Sequence, residues 1–384
     1  MMSDMASPFY GNILITGVTG LIGRHLLYEY IHYFLQHQWQ GNLYVLMRSK
    51  KSASASERLE HILRHEFAPN YFKVYPYDRV RQKIKIIEGS IEDKDLIGKM
   101  KSVIPFNEKV YVIHCAGSVN LLNTEQAEKE VQHNNVMGTQ NLLHAALDFN
   151  SKFIFISTAF SCGIVNGTIG NDYSQFNKNT FRNPYEQSKL AIERMVEQEC
   201  LKKEREYQIL RPSAVCGRMI DPPLYYTSKI DVMYGWTKFF WNMKKQEASD
   251  HIRIHMAEHT VLNVVPVDFV AKSIVRLFSQ NIPYVNLTYP KSLSNRGLYG
   301  QMLQSIGFSN YSFVDVLPDH LNKGERLYYR LIDKVYSPYL NNCTIEYDTN
   351  ELNKRINSHD IPEIDLHHLT EFAMEFDFDD SLIY

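Results

Sequence analysis

Three glycines, Gly17, Gly20 and Gly23, follow directly on a short apolar run, Asn12-Ile13-Leu14-Ile15-Thr16, and open a long helical pattern over 21–37. An apolar run without polar alternation reads as a strand buried on both faces. The turn after it must bend tightly and keep its backbone bare, and glycine permits both. The helix that starts there offers unpaired N–H groups and the positive end of its dipole. Together these features make a cradle for a pyrophosphate, the signature of a dinucleotide-binding βαβ unit. Thr19, Leu21 and Ile22 lie between the glycines and belong to the same cradle.

The pattern then repeats. Short apolar runs at 42–47, 83–88, 109–114, 152–156 and 207–210 alternate with helical stretches at 54–67, 125–148 and 185–200. Apolar strands separated by helices imply a parallel sheet covered on both faces, an α/β doubly wound fold of the Rossmann type. Past Arg218 the alternation weakens, and strand-like runs return only at 261–265 and 284–287. A chain of 384 residues exceeds what one core usually holds. The expected division is a dinucleotide-binding domain over 1–218, with 262–290 returning to it, and a smaller C-terminal substrate-binding lobe built from 219–261 and 291–384.

Composition narrows the function classes. The chain is 44% hydrophobic and 22% charged, the profile of a globular protein. A formal net charge of -2 and the lack of a long basic run argue against nucleic acid as a partner. The lysines of the densest early cluster, Arg48-Ser49-Lys50-Lys51, read as a solvated turn. Five scattered cysteines (Cys115, Cys162, Cys200, Cys216, Cys343) form no CxxC pair, so neither zinc nor a disulfide framework is expected. Reduced thiols suit the cytoplasm. Residues 1–11 lack the apolar centre of a secretion signal, and no run of about 18 apolar residues offers a membrane span.

Two further features refine the site. The second strand ends in Leu46-Met47-Arg48-Ser49-Lys50. NAD sites usually carry an acidic residue there for the ribose 2′-hydroxyl, whereas an arginine suits the 2′-phosphate of NADP. Arg24, just past the third glycine, is a second arginine for that phosphate. The other feature is Tyr185 and Lys189, which share one face of the 185–200 helix. A neighbouring ammonium lowers the pKa of a phenol and fits it to exchange a proton with a carbonyl oxygen. Ser157-Thr158 ends the fifth strand, on the sheet edge where such folds bind ligands, and a hydroxyl there can donate to the same oxygen.

With these residues assembled, the chain resembles an extended short-chain dehydrogenase/reductase. Residues 16–23 are similar to that family's TGxxGxxG, Asn135-Val136-Met137-Gly138-Thr139 to its NVxGT, and Leu210-Arg211-Pro212 with Gly217 to its RPxxxxG. The resemblance implies a catalytic triad of Thr158, Tyr185 and Lys189, with Lys189 also holding the nicotinamide ribose. It further implies cofactor contacts from Ser90, Ile91, Cys115, Ala116, Gly117, Asn135, Pro212 and Ser213. The family's Gly-Asp-hydrophobic triplet is Gly89-Ser90-Ile91 here, and the fourth strand ends His114-Cys115-Ala116-Gly117 rather than in paired alanines. Both departures concern adenine affinity and loop shape.

More specifically, the chain looks like fatty acyl-CoA reductases and carrier-protein thioester reductases. Leu46-Met47-Arg48-Ser49 with Glu57-Arg58-Leu59, Ile156-Ser157-Thr158-Ala159-Phe160, Val265-Pro266-Val267-Asp268-Phe269-Val270 and, faintly, Tyr347-Asp348-Thr349-Asn350-Glu351-Leu352 carry that likeness. It covers most of 11–290. The implied reaction is NADPH-dependent reduction of an acyl thioester to an aldehyde, with a second round giving the alcohol. No adenylation or carrier domain fits in the chain, so the acyl group is expected on coenzyme A or on a separate acyl carrier protein. In the lobe, Trp236, Phe239 and Phe240 share a helical face that suits either an apolar wall for the acyl chain or ordinary packing. The same run interleaves aromatics with Lys238, Lys244 and Lys245, which also suits peripheral membrane contact. Two other readings share parts of the pattern: a sugar-nucleotide epimerase or dehydratase, and an NADP-sensing regulator without catalysis.

Overall fold

A computed structural model describes residues 11–383 apart from 38, 179 and 357–360. Nearly all of the segment read above for a secretion signal therefore lies outside the described residues. Seven parallel strands form the central sheet: β1 (Asn12–Thr16), β2 (Leu43–Met47), β3 (Ile84–Glu88), β4 (Val110–His114), β5 (Ser151–Ile156), β6 (Glu206–Pro212) and β7 (Tyr284–Leu287). Their spatial order is β7-β6-β5-β4-β1-β2-β3. The order reverses between β1 and β4, whose last residues Thr16 and His114 are paired in register. That reversal opens a crevice at the carboxyl edge of the sheet, where doubly wound folds bind ligands. The fold is the α/β doubly wound sheet expected from the alternating runs. β1, β2, β4 and β5 are buried at every position. β3 closes one edge and buries only Ile84 and Ile87.

Helices cover both faces. One face carries Leu21–Gln36, Ala55–Leu63 and Val267–Leu277, which bury Leu26, Leu27, Ile31, Leu59, Val270 and Ile274. The other carries Gly138–Leu147 and Pro184–Lys202, which bury Leu142, Leu143, Ile192 and Val196. Leu352, Ile356 and Ile361 join the first of these cores although they fall within 291–384. A separate core collects Phe160, Ile169, Trp236, Phe240, Ile254, Met302, Tyr328 and Leu369, joining the helices Val232–Lys245, Asn295–Ser305 and Leu366–Glu375.

Three local readings change. The stretch 125–148 is not one α-helix: a π-helical turn, Gln132–Met137, interrupts it between Glu125–Val131 and Gly138–Leu147. The run 261–265 is two strands. Val261–Leu262 pairs antiparallel with Leu293–Ser294, and Val264–Pro266 pairs parallel with Ala214–Cys216. The Asn263 side chain breaks the run by bonding the Tyr289 backbone in both directions. The 54–67 helix ends at Leu63, with Ser54 and Glu57 closing a capping box at its start. Among the described residues no helix is long and apolar enough to cross a membrane.

Candidate active site

The glycine turn is built as a phosphate cradle requires. Gly17 has φ +76°, and a Cβ there would lie 2.7 Å from the Ala116 nitrogen. A Cβ on Gly23 would lie 2.2 Å from the Gly17 carbonyl oxygen. The helix Leu21–Gln36 begins at Gly20 with no side chain capping it, so its first N–H groups face outward. Two cavities meet at Gly17, Gly20, Cys115, Gly117 and Ser118. These features fit a dinucleotide lying across the strand-order reversal.

The larger cavity, about 810 Å³, is lined by Thr19, Arg48, Ser90, Ile91 and Ala116, and also by Lys50 and Arg58. Arg58 donates to the Arg48 carbonyl oxygen, which brings two guanidinium groups to the end of β2. The Ser49 hydroxyl accepts from Ala55 N at 2.9 Å and donates to Glu88, pinning this basic corner. Lys50 is thus part of the cavity lining and not merely a solvated turn. Ser90 stands where an aspartate was expected. Of the carboxylates that follow it, Asp93 is occupied by Ser90 N and by Lys99 at 2.6 Å, and Glu92 lines the cavity. Arg24 does not reach the cavity. It is fully buried and donates to the Tyr226 hydroxyl, because the helix turns its side chain into the protein.

The smaller cavity, about 450 Å³, is lined by Leu21, Ile22, Gly23, Thr158, Tyr185, Lys189, Pro212 and Ser213. Lys189 donates to the Ile156 carbonyl oxygen at 3.0 Å and lies 4.7 Å from the centre of the Phe155 ring. Burial lowers its pKa to about 8, against the opposing pull of Cys115 and Glu193. Tyr185 departs from the sequence argument: its pKa is raised, first by burial and then by Asp231 and Glu186. Lys189 lies 5.7 Å from its ring and points to the backbone. Thr158 caps the turn Ala159–Cys162, its oxygen accepting from Phe160 N at 3.3 Å. Asn135 lines neither cavity. Carried on the π-helical turn, its amide bonds Ser118 N and O at 2.7 and 2.9 Å, fixing the loop between the cavities.

A buried network holds these groups in register. Glu193, one turn beyond Lys189, accepts from Ser161 at 2.7 Å, from Ser157 at 2.5 Å and from Arg211 at 2.7 Å. Arg211 of the Arg-Pro motif therefore ties β6 to the Pro184–Lys202 helix. His114 bridges Thr16 and Thr139 at 2.7 and 2.8 Å, and burial drives its pKa down to about 3. Asp268 accepts the backbone N–H groups of Met219, Ile220 and Asp221, anchoring the loop that leaves the sheet.

The lobe side of the small cavity consists of Asp231, Val232, Leu262, Tyr299, Tyr336 and Tyr339. Trp236, Phe239 and Phe240 are not among its walls. Their shared face is buried in the lobe core against Tyr299, Tyr328 and Phe308. Trp241 and Lys245 both bond Asp377, and Lys244 donates to the Ile306 carbonyl oxygen. Lys229 lines both cavities and pairs at 2.9 Å with Asp380, which with Ser381 walls the larger one. Sequence reasoning did not select Lys50, Arg58, Glu193, Lys229, Asp231, Tyr336 or Asp380. Only Arg58 had a signal, as part of the Glu57-Arg58-Leu59 segment.

Among curated proteins, the chain is 27% identical over 166 residues to a Drosophila melanogaster protein carrying a provisional fatty acyl-CoA reductase name, covering 42% of this chain and 31% of that one. It is 30% identical over 161 residues to fatty acyl-CoA reductase 1 of Rattus norvegicus, covering 39% and 28%. It is 24% identical over 206 residues to dTDP-D-glucose 4,6-dehydratase of Dictyostelium discoideum, covering 51% and 42%. The chain thus spans less than half the length of each of these relatives. Among solved structures, the terminal R domain of the myxalamid PKS-NRPS pathway superposes with a TM-score of 0.67 at 18% identity, covering 97% of this chain and 92% of that one. A thiolation-reductase di-domain from an archaeal non-ribosomal peptide synthetase gives 0.66 at 21%, covering 97% and 92%. The UDP-Glc/GlcNAc 4-epimerase of Campylobacter jejuni gives 0.63 at 16%, covering 96% and 99%. These three likenesses are of fold. The family model described as male sterility protein, an NAD-binding family, matches residues 15–274, more than half of the chain. On that match the chain belongs to the male sterility protein family.

Proposed function

We propose that this protein is an oxidoreductase that uses NADPH to reduce an acyl thioester to an aldehyde, and in a second round to an alcohol. The observation that carries the reading is the convergence of Thr158, Tyr185 and Lys189 on one cavity that opens onto the glycine turn. The preference for NADP is supported by Arg48, Lys50 and Arg58 around the far cavity and by the lack of an acidic residue at the end of β2. The acyl-CoA reductase names of the relatives support the thioester.

Bound NADPH supplies the hydride that the carbonyl carbon accepts. Thr158 and Tyr185 donate hydrogen bonds to the thioester oxygen, and these strengthen as negative charge develops there. The raised pKa keeps Tyr185 protonated until that moment, when it gives up its proton. Lys189 in its ammonium form offsets the resulting phenolate. The hemithioacetal on the substrate then expels a thiol and leaves the aldehyde. The lobe formed by 219–261 and 291–384 covers the substrate, a role supported by Asp231, Tyr299, Tyr336 and Tyr339 in the cavity wall. The thioester comes on coenzyme A or on a separate carrier protein. Five scattered cysteines with no CxxC pair support a cytoplasmic setting.

The test is NADPH oxidation with acyl-CoAs and carrier-bound acyl groups, followed by product analysis. Tyr185→Phe is expected to lower kcat about 10²–10⁴-fold, the range for loss of a positioned general acid. Failure of every thioester to oxidise NADPH would overturn the reading. The 24% identical dehydratase supports a second reading, a sugar-nucleotide epimerase or dehydratase. Tightly held NAD in the purified protein, with no preference for NADP, would favour it.

A further inference from the structure

The substrate cavity contains polar groups that neither the fold nor the proposed proton transfer uses. Asp231 stands at the N-cap of the helix Val232–Lys245, a place where aspartate ordinarily caps, yet its side chain makes no capping bond. Among the described residues its carboxylate has no ion pair or side-chain hydrogen bond. The nearest cation, Lys229, is taken by Asp380 at 2.9 Å. Asp231 lines the cavity with its side chain exposed to water there, while the protein packed around it raises its pKa. Its charge reaches both Tyr185 and Tyr336.

Tyr336 comes from the other end of the lobe and meets the same helix turn. A Cβ on Gly235 would lie 2.7 Å from the Tyr336 hydroxyl, so the glycine leaves room for it. Gly235 N bonds the Asp231 carbonyl oxygen at 3.4 Å, which places the two side chains on one turn. The Tyr336 hydroxyl has no hydrogen-bond partner among the described residues. Val232, the first residue of that helix, holds φ +47°, a conformation costly for a β-branched residue and maintained only by its surroundings. Tyr339, by contrast, is occupied by Glu186 at 2.7 Å.

A carboxylate and a phenol whose water is displaced when an acyl group fills the cavity need a donor. A plain alkyl chain would strip them of water and return nothing. We propose that Asp231 and Tyr336 form a recognition pair that selects acyl groups bearing an N–H or O–H donor, best of all an ammonium, close to the thioester carbonyl. The proposal rests on the thioester reading above and names the substrate class within it. Such a group also offsets the Asp231 charge that opposes phenolate formation at Tyr185. Sites built around a substrate donor discriminate strongly against analogues that lack it.

The experiment compares β-aminobutyryl-, β-hydroxybutyryl- and butyryl-CoA at saturating NADPH, with the wild-type protein, Asp231→Asn and Tyr336→Phe. The expected order of kcat/KM is amino, hydroxy, plain, with a ratio of about 100 between the first and last. Asp231→Asn should collapse that ratio to below about 10, and Tyr336→Phe should reduce it less. Butyryl-CoA reduced as well as the amino compound, or a ratio that survives in both variants, overturns the proposal. If no thioester is reduced, the reaction reading falls and calorimetric binding of the three thioesters decides the pair by itself. Equal affinities, or an amine preference untouched by Asp231→Asn, overturn it there too. NADPH binding in each variant verifies that the fold is intact.

Discussion

Glu193→Gln removes the charge from a carboxylate whose side chain is 3% exposed and which receives Ser157, Ser161 and the Nε and Nη2 of Arg211. Glutamine keeps one acceptor oxygen, so part of the hydroxyl bonding survives. Arg211, 1% exposed, is left as a buried cation with its bond to the Asn171 carbonyl oxygen and its contacts with the Tyr173 and Tyr284 rings. Breaking a buried pair from one side costs about 3–5 kcal/mol. Replacing both partners by apolar groups is often neutral, so Glu193→Leu with Arg211→Met should recover most of the loss. The assay is urea unfolding of the single variants and the double variant, with ΔG extrapolated to water. A loss below about 1 kcal/mol in Glu193→Gln, the size of an exposed pair, would refute the argument. So would a double variant worse than both singles. Because Glu193 also supports the Lys189 ammonium, Glu193→Gln should lower the pKa of that lysine further below about 8, read as an alkaline-limb shift in the pH–rate profile.

Arg58→Ala and Arg48→Ala should each weaken NADPH binding about 10- to 100-fold while leaving NADH nearly unchanged, since a hydrogen bond to a charged group contributes about 1.5–3 kcal/mol; equal losses for both dinucleotides would remove these residues from the 2′-phosphate. Gly23→Ala places a methyl 2.2 Å from the Gly17 carbonyl oxygen and should abolish dinucleotide binding, as fluorescence titration would register. His114 is neutral when folded because its pKa is driven to about 3, while an unfolded histidine titrates near 6.5. The unfolded chain therefore binds more protons between those values, and stability falls as pH drops through that window by up to about 1.4 kcal/mol per unit. His114→Asn should flatten that part of the pH dependence of unfolding, and an unchanged slope would exclude His114 as its source.

The strands were legible because a parallel strand buried on both faces must be apolar throughout; the runs at 12–16 and 284–287 coincide with the observed strands. The triad candidates were legible by spacing, since Tyr185 and Lys189 lie on one helix and Thr158 ends a strand. Other features had no such signature. A π-helical turn changes the backbone without disturbing the apolar period around Asn135. Trp236, Phe239 and Phe240 have the same helical spacing whether they line a cavity or fill a core, and only the packing of Tyr299 and Tyr328 decides. The Tyr336 hydroxyl reaches the turn that begins at Asp231 through a gap left by Gly235, a three-dimensional coincidence with no local pattern. The expectation of a depressed phenol pKa at Tyr185 counted the nearby ammonium but not the burial and the two carboxylates that outweigh it.

Lys229 touches both cavities and is tied to Asp380, so the cleft takes its wall from segments made far apart in time during synthesis. The glycine turn and the sheet's first strands emerge early, whereas Asp380 and Ser381 emerge only after the whole lobe. Chains fold largely in the order in which they are made. The Asp380 and Ser381 wall of the cleft therefore joins the glycine turn only after all seven strands of the sheet have been made.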